Sequence, residues 1–211
     1  TSCPECGSKD NMAIYSDGHG FCFGCSYTMQ PPRDKPRKSF IKTVKKPLLK
    51  FVTPKPLPKR GLSHETCELF NYGISEHNGV PVQVATYEDK LGRPAAQHIR
   101  YQNKRFSWLG DVGDLQLWGQ RLWRQVNTGG MFVTITEGEI DCMSVSQVQG
   151  NKFPVVSLPS GSQSANKYIA ANLKWLSQFV RIVICFDSDE PGMAAAEKAI
   201  KILPPGKAAI C

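Results

Sequence analysis

The sequence predicts an α/β fold: a body with a parallel sheet, joined through a flexible linker to a small cysteine-bearing β ribbon. Three observations predict it. Two C-x-x-C pairs, "CPEC" and "CFGC", stand near the amino terminus. A basic, proline-spaced stretch follows them. Farther along, the short apolar runs "MFVTIT", "FPVVSL" and "RIVICF" alternate with helical segments. That alternation is the pattern of right-handed βαβ units, whose sheet is buried on both faces.

With 211 residues and 41% hydrophobic composition, the chain can bury one sizeable core plus a small satellite. No run of eighteen apolar residues occurs and the first residues do not form a signal peptide, so neither a membrane partner nor secretion is predicted. The chain starts at Thr1 and stops at "KAAIC", which reads as an unfinished strand of something longer.

Residues 1–30 form the ribbon. Cys3, Cys6, Cys22 and Cys25 have the spacing of a four-thiolate zinc site, in which two knuckles each present two sulfurs to a tetrahedral ion. Disulfides are the alternative. The remaining cysteines, Cys67, Cys142, Cys185 and Cys211, are scattered singly, which suits a reducing cytoplasm better.

Residues 31–60 read as the linker. Between Arg33 and Arg60 lie eleven Lys or Arg and a single acid, Asp34, whereas the rest of the chain carries slightly more acids than bases. Prolines and like charges predict an extended, self-repelling tether. It is either a plain solvated linker or one that also attracts nucleic-acid phosphates, without sequence preference.

Residues 61–128 predict a short helix in "GLSHETCELF", capped by Ser63, and then antiparallel strands turning at "DKLGRP". The second strand and its continuation carry His98, Arg100, Lys104 and Arg105 beside Tyr101, Phe106 and Trp108. Mixed basic and aromatic residues suit a nucleotide or a single strand, through phosphate contacts and base stacking. An ordinary solvent-facing strand edge would look the same.

Residues 129–211 carry the parallel sheet, with helices at about 139–149, 164–177 and 190–203, and "KAAIC" opening a fourth strand. In such sheets functional groups gather beyond the carboxyl ends of the strands. Glu137 stands at the end of the first strand, with Asp141 one helical turn later. Asp187 and Asp189 stand at the end of the third. Helix capping explains one acid there, Asp189 or Glu190, but not two pointing the same way at i,i+2. If the first and third strands are neighbours, the acids converge. Packed carboxylates resist ionising beside one another, and a divalent cation with a preference for oxygen, magnesium, removes that cost.

E-G-x-x-D after one strand and D-x-D after a later one resemble the Toprim signature, shared by bacterial-type primases, topoisomerases, certain nucleases and RecR proteins. Together, "CPECGSKDNMAIYSDGHGFCFGC", "GLSHETC", "TEGEID" and "FDSDEPGMAA" resemble the primase half of the primase–helicases of short-tailed phages, to which the mitochondrial Twinkle helicases are related. The resemblance spans nearly the whole chain and weakens in the linker.

It implies a DNA primase that makes short RNA primers on a single-stranded DNA template from ribonucleoside triphosphates. Glu137 is then a metal ligand or a base near the attacking hydroxyl, supported by Asp141, while Asp187 and Asp189 hold magnesium on the triphosphate. The zinc ribbon recognises a short template sequence, with His19 touching the template. Arg100, Lys104 and Arg105 are the candidate nucleotide or nucleic-acid contacts of the basic, aromatic strand, joined by Arg121 if it is presented where the relatives hold their lysine. The implied partners are a replicative helicase, fused or separate, and a DNA polymerase, in the cytoplasm of an infected bacterial host. Two departures stand out: Gln120 occupies a position where the relatives usually have a nucleotide-binding lysine, and the family's last metal-binding acid falls beyond Cys211. No G-x-x-x-x-G-K-[ST] occurs, so a helicase motor is not predicted within these residues. The rival is a RecR-like protein that joins zinc and Toprim units to bind DNA without catalysis.

Overall fold

In the computed structural model, which describes residues 2–16, 18–29, 46–123 and 131–211, the chain separates into two units, Thr1–Val44 and Lys45–Cys211. The first is built on three short antiparallel strands in the order β1 (Met12–Ile14), β2 (Gly20–Cys22) and β3 (Thr28–Met29). So small a sheet buries little, and Cys3 and Cys22 are among its few buried side chains.

The second unit opens with β4 (Thr53–Pro54), an edge strand paired with β5 (Tyr72–His77). Between them α1 (His64–Leu69) is capped as predicted, the Ser63 hydroxyl accepting from the Thr66 N–H at 3.2 Å. Strands β6 (Val80–Glu88), β7 (Pro94–Tyr101) and β8 (Phe106–Gly110) complete a five-stranded antiparallel sheet in the order β4-β5-β6-β7-β8.

The two faces of this sheet follow from its period of two. Tyr72, Ala85, Tyr87 and Ala96 join the main core, while Val82, Val84, Ile99 and Leu109 form a second cluster. Covering that second cluster are Leu48, Leu49 and Val52. The assignment of 46–60 to a flexible tether is therefore corrected. Leu49 is tied to the buried Gln97 side chain by two hydrogen bonds, Leu57 is buried, and Thr53–Pro54 is a strand. Charge density hid the apolar residues of "KKPLLKFVTP", which cover a sheet face that would otherwise be wet. The rest of the predicted linker, 31–45, lies outside the described residues, as does the predicted subdomain boundary at 128/129.

The second sheet is wholly parallel. It is built from β9 (Phe132–Thr136), α2 (Glu139–Val148), β10 (Val155–Ser157), α3 (Ala165–Ala171), α4 (Leu173–Leu176), β11 (Arg181–Cys185), α5 (Glu190–Ile200) and β12 (Ala208–Ile210). Its strand order is β10-β9-β11-β12. The single helix predicted over 164–177 is two, broken at Asn172, whose side chain donates back to the Tyr168 carbonyl at 2.8 Å. That local bond is the usual way asparagine competes with helix continuation. One core cluster runs from Tyr87 and Trp118 through Val133, Ile135, Val155, Ile182 and Ile184, so the two sheets share an interior. Each such aliphatic side chain, fully buried, contributes about 1.5–3 kcal/mol. No helix among the described residues is long and apolar enough to cross a membrane.

Candidate active site at the carboxyl ends of β9 and β11

Strands β9 and β11 are hydrogen-bonded neighbours, with Thr136 opposite Cys185. Glu137 and Asp187 therefore leave the same edge of the sheet one and two residues later. Strand β10 flanks β9 on the other side, and the loop beyond it contributes Ser162, whose hydroxyl donates to Glu137 Oε1 at 3.0 Å. Gly138 is the extended N-cap of α2 and places Asp141 on the first turn of that helix. Asp189 caps α5, accepting from the Gly192 N–H at 2.8 Å, so the capping explanation holds for this acid and leaves Asp187 unexplained by helix chemistry.

Electrostatics bears on the same patch. The Asp141 carboxyl is raised above the ordinary carboxylate range, first by loss of surrounding water and then by the negative charges of Asp187 and Glu137. The residue as a whole still reaches solvent. Among the described residues, none of Glu137, Asp141, Asp187 and Asp189 forms an ion pair. Carboxylate oxygens are ligands of the type a divalent cation takes, but among the described residues these acids are not drawn together into a metal-holding group as the four cysteines are.

Sequence reasoning missed the neighbour of these acids. Glu139, the first residue of α2, turns away from the acid patch and meets the antiparallel sheet. Its Oε1 accepts from the Tyr87 hydroxyl at 2.6 Å and lies 2.7 Å from His98 Nδ1. Burial would raise its pKa, but the hydrogen bond and charge of His98 and the Tyr87 hydroxyl prevail and hold it below the usual range. His98 stacks on Trp108, with ring centroids 4.5 Å apart, and on Phe106 at 5.1 Å. The only signal available in the sequence was a histidine among aromatic residues.

The basic residues divide. Arg100 lies over the Phe106 ring and Arg105 over the Tyr101 ring, with Lys104 at the exposed turn between β7 and β8. Arg105 and Tyr101 also line a groove of about 250 Å³ with Val80, Pro81, Gln102 and Asn103. Arg121 is engaged internally, donating to the Leu69 carbonyl at 2.6 Å and standing 3.8 Å from Glu88. Gln120 is buried, and its side-chain oxygen accepts from the Leu117 N–H at 3.2 Å.

In the amino-terminal unit the four cysteine sulfurs lie within 4.8 Å of one another, a group that could hold a metal ion. The Cys3–Cys25 and Cys6–Cys22 sulfur pairs are each 3.7 Å apart. A tetrahedral ion with metal–sulfur bonds near 2.3 Å requires an edge of about 3.8 Å, so the set fits. The Cys6 backbone N–H pulls the Cys3 thiol down to about 7. At Cys25 the Tyr27 N–H acts the same way, but burial and the neighbouring sulfurs outweigh it and push that thiol up to about 12. His19, in the hairpin between β1 and β2, stacks on the exposed Tyr15 at 4.3 Å.

The sequence matches two family models. One, described as bacteriophage T7 DNA helicase/primase, N-terminal a+b fold, covers residues 53–110. The other, described as Toprim-like, covers residues 134–210. The DNA helicase/primase of Enterobacteria phage T3 is 35% identical over 218 residues, which is 97% of this chain and 38% of that protein. The chain thus spans well under half the length of this relative. Among solved structures, the primase fragment of the bacteriophage T7 primase–helicase protein is 37% identical, with a TM-score of 0.74 over 100% of this chain and 88% of that one. A second T7 structure holds a lagging-strand DNA polymerase interacting with primase domains bound to an RNA/DNA hybrid and dTTP. Its match is 40% identical, with a TM-score of 0.69 over 75% of this chain and 79% of that one.

Proposed function

Because the chain belongs to the T3- and T7-type phage DNA helicase/primase family, corresponding to its primase half, we propose that it is a DNA primase making short RNA primers on single-stranded DNA. The observation that carries this reading is the convergence of Glu137, Asp141 and Asp187 at the carboxyl ends of two adjacent parallel strands, in a chain similar to a primase fragment along its whole length. A RecR-like binding role is not favoured by that similarity.

In this reading Glu137 and Asp187, with Asp189, hold magnesium, which when bound neutralises charge on the triphosphate. Ser162 orients Glu137 through its hydroxyl. Asp141 supports the patch, its carboxyl raised first by loss of surrounding water and then by the charges of Asp187 and Glu137. Arg100, Lys104 and Arg105, with Tyr101 and Phe106, supply phosphate contacts and stacking surfaces at one hairpin. Arg121 is left out of that set by its internal bonds. The four cysteines hold one structural zinc, and the unit they stabilise selects the template sequence, with the Tyr15–His19 stack offering an aromatic surface to a base. A replicative helicase and a DNA polymerase are its partners, in the host cytoplasm.

The test is incubation of the chain with single-stranded templates of varied sequence, labelled ribonucleotides and magnesium. Short RNA is expected from a subset of templates. Removal of residues 1–30 is expected to abolish that selection while leaving extension of a supplied oligoribonucleotide. Folded, metal-loaded protein that makes no RNA on any template overturns the proposal.

A further inference from the structure

Gly138 offers no side chain to cap α2; its carbonyl accepts from the Thr136 hydroxyl at 3.2 Å and from the Cys142 N–H at 3.0 Å, and the side chains on either side of it are gripped from outside the helix. Glu137 is met by Ser162. Glu139 is met by two donors from a different sheet, Tyr87 and His98. Those donors stand on adjacent antiparallel strands, where His98 is opposite Ala85, two residues before Tyr87, so both present the same face. The His98 ring is clamped by Trp108, its cross-strand partner on β8, and by Phe106. It cannot swing without unstacking. An ionised carboxylate only accepts, so the His98 nitrogen facing Glu139 carries the proton whatever the state of the other one.

Stability alone does not call for this arrangement. A buried charged network is often no better than apolar packing of the same volume, and an aliphatic residue at 139 could dock α2 on the sheet. What the network adds is a fixed direction. Two short bonds from a rigid sheet set the first residue of α2, and with it the turn that aims Glu137.

Building on the primase reading, we propose that His98, assisted by Tyr87, is a positioning residue for primer synthesis: by locking Glu139 it fixes the Glu137–Gly138 turn and so the placement of the Glu137 carboxylate.

His98→Phe keeps a stacked ring and loses the N–H, whereas His98→Gln keeps an N–H and loses the ring. Two readouts separate positioning from packing: extension of a supplied oligoribonucleotide on a template, and Mn2+ binding followed by electron paramagnetic resonance without turnover. His98→Phe is expected to lower kcat about ten- to a hundredfold, the scale of a misplaced catalytic group, with KM for nucleotide within about twofold. Mn2+ binding should weaken several-fold. His98→Gln should recover most of both. Tyr87→Phe, which opens no large cavity, should cost several-fold in both, and it decides the matter if His98→Phe does not fold. Folded variants with unaltered kcat and Mn2+ binding overturn the proposal. So does a His98→Gln as impaired as His98→Phe at equal thermal stability, since packing would then explain the loss. If the unaltered chain makes no RNA, the primase reading falls and the Mn2+ measurement still decides this one.

Discussion

Gly192 packs against the backbone of Asp187 so closely that a β-carbon at 192 would fall on the Asp187 carbonyl. The same glycine donates its N–H to Asp189. The first turn of α5 is thus a mould for the loop that carries both acids. Gly192→Ala is expected to destabilise the protein by about 1–3 kcal/mol through overpacking. It should lower primer synthesis more than that loss accounts for, because the acids are displaced. Chemical denaturation and synthesis on one preparation check both.

Glu137 and Asp187 sit at the rim of the sheet rather than in its core. Glu137→Ala and Asp187→Ala should each cut synthesis on the order of 10²–10³-fold with the melting temperature maintained. Removing the Asp187 charge should also bring the Asp141 pKa back toward its ordinary value. Carboxyl NMR titration reads that shift without any turnover.

Cys22 is buried among the four sulfurs. Cys22→Ser should release the metal and unfold residues 1–30 alone, since so small a β unit cannot persist on burial of apolar surface. Metal analysis should find the ion lost, and hydrogen exchange should show protection unchanged in 46–211.

Gln97 is buried and holds both the N–H and the carbonyl of Leu49. Gln97→Ala leaves those groups unsatisfied and should cost about 1–3 kcal/mol. It should also free the segment that covers Val82, Val84, Ile99 and Leu109. Trypsin should then cut after Lys50, which precedes Phe51, faster than in the unaltered chain.

Asp89 closes the turn between β6 and β7, accepting from the backbone N–H groups of Leu91 and Arg93 and from the Arg93 guanidinium. These bonds, the Arg93 N–H foremost, lower its pKa. With a folded pKa below the unfolded one, its contribution is present above the ordinary aspartate range and fades as pH falls through the folded value. Asp89→Asn should therefore be less stable than the unaltered chain at neutral pH. The difference should vanish in acid, as read by urea midpoints across pH.

Local chemistry was legible in the sequence wherever one stretch of chain carries the whole signal. The Ser63 cap, the turn after Glu88, the alternation of apolar strand and helix, and the spacing of Cys3, Cys6, Cys22 and Cys25 all lie within a few residues of what they specify. The positions of Glu137 and Asp187 just past their strands were legible for the same reason, each following an apolar run. In the linker the strongest local signal misled: charge and proline dominate 46–60, but Leu48, Leu49 and Val52 answer to a sheet face tens of residues away.

What the sequence by itself determined is the inventory, namely which segments become strands and helices and which residues end them, because hydrophobic period, caps and turn residues act over one or two turns of chain. Tertiary structure alone decided the partnerships. The pairing of β9 with β11 brings Glu137 and Asp187 to one edge, and the docking of α2 on the antiparallel sheet sets Glu139 against a histidine 41 positions earlier. Neither leaves a periodic trace, since strand order and side-chain pairing between elements depend on how two separately formed faces are buried together.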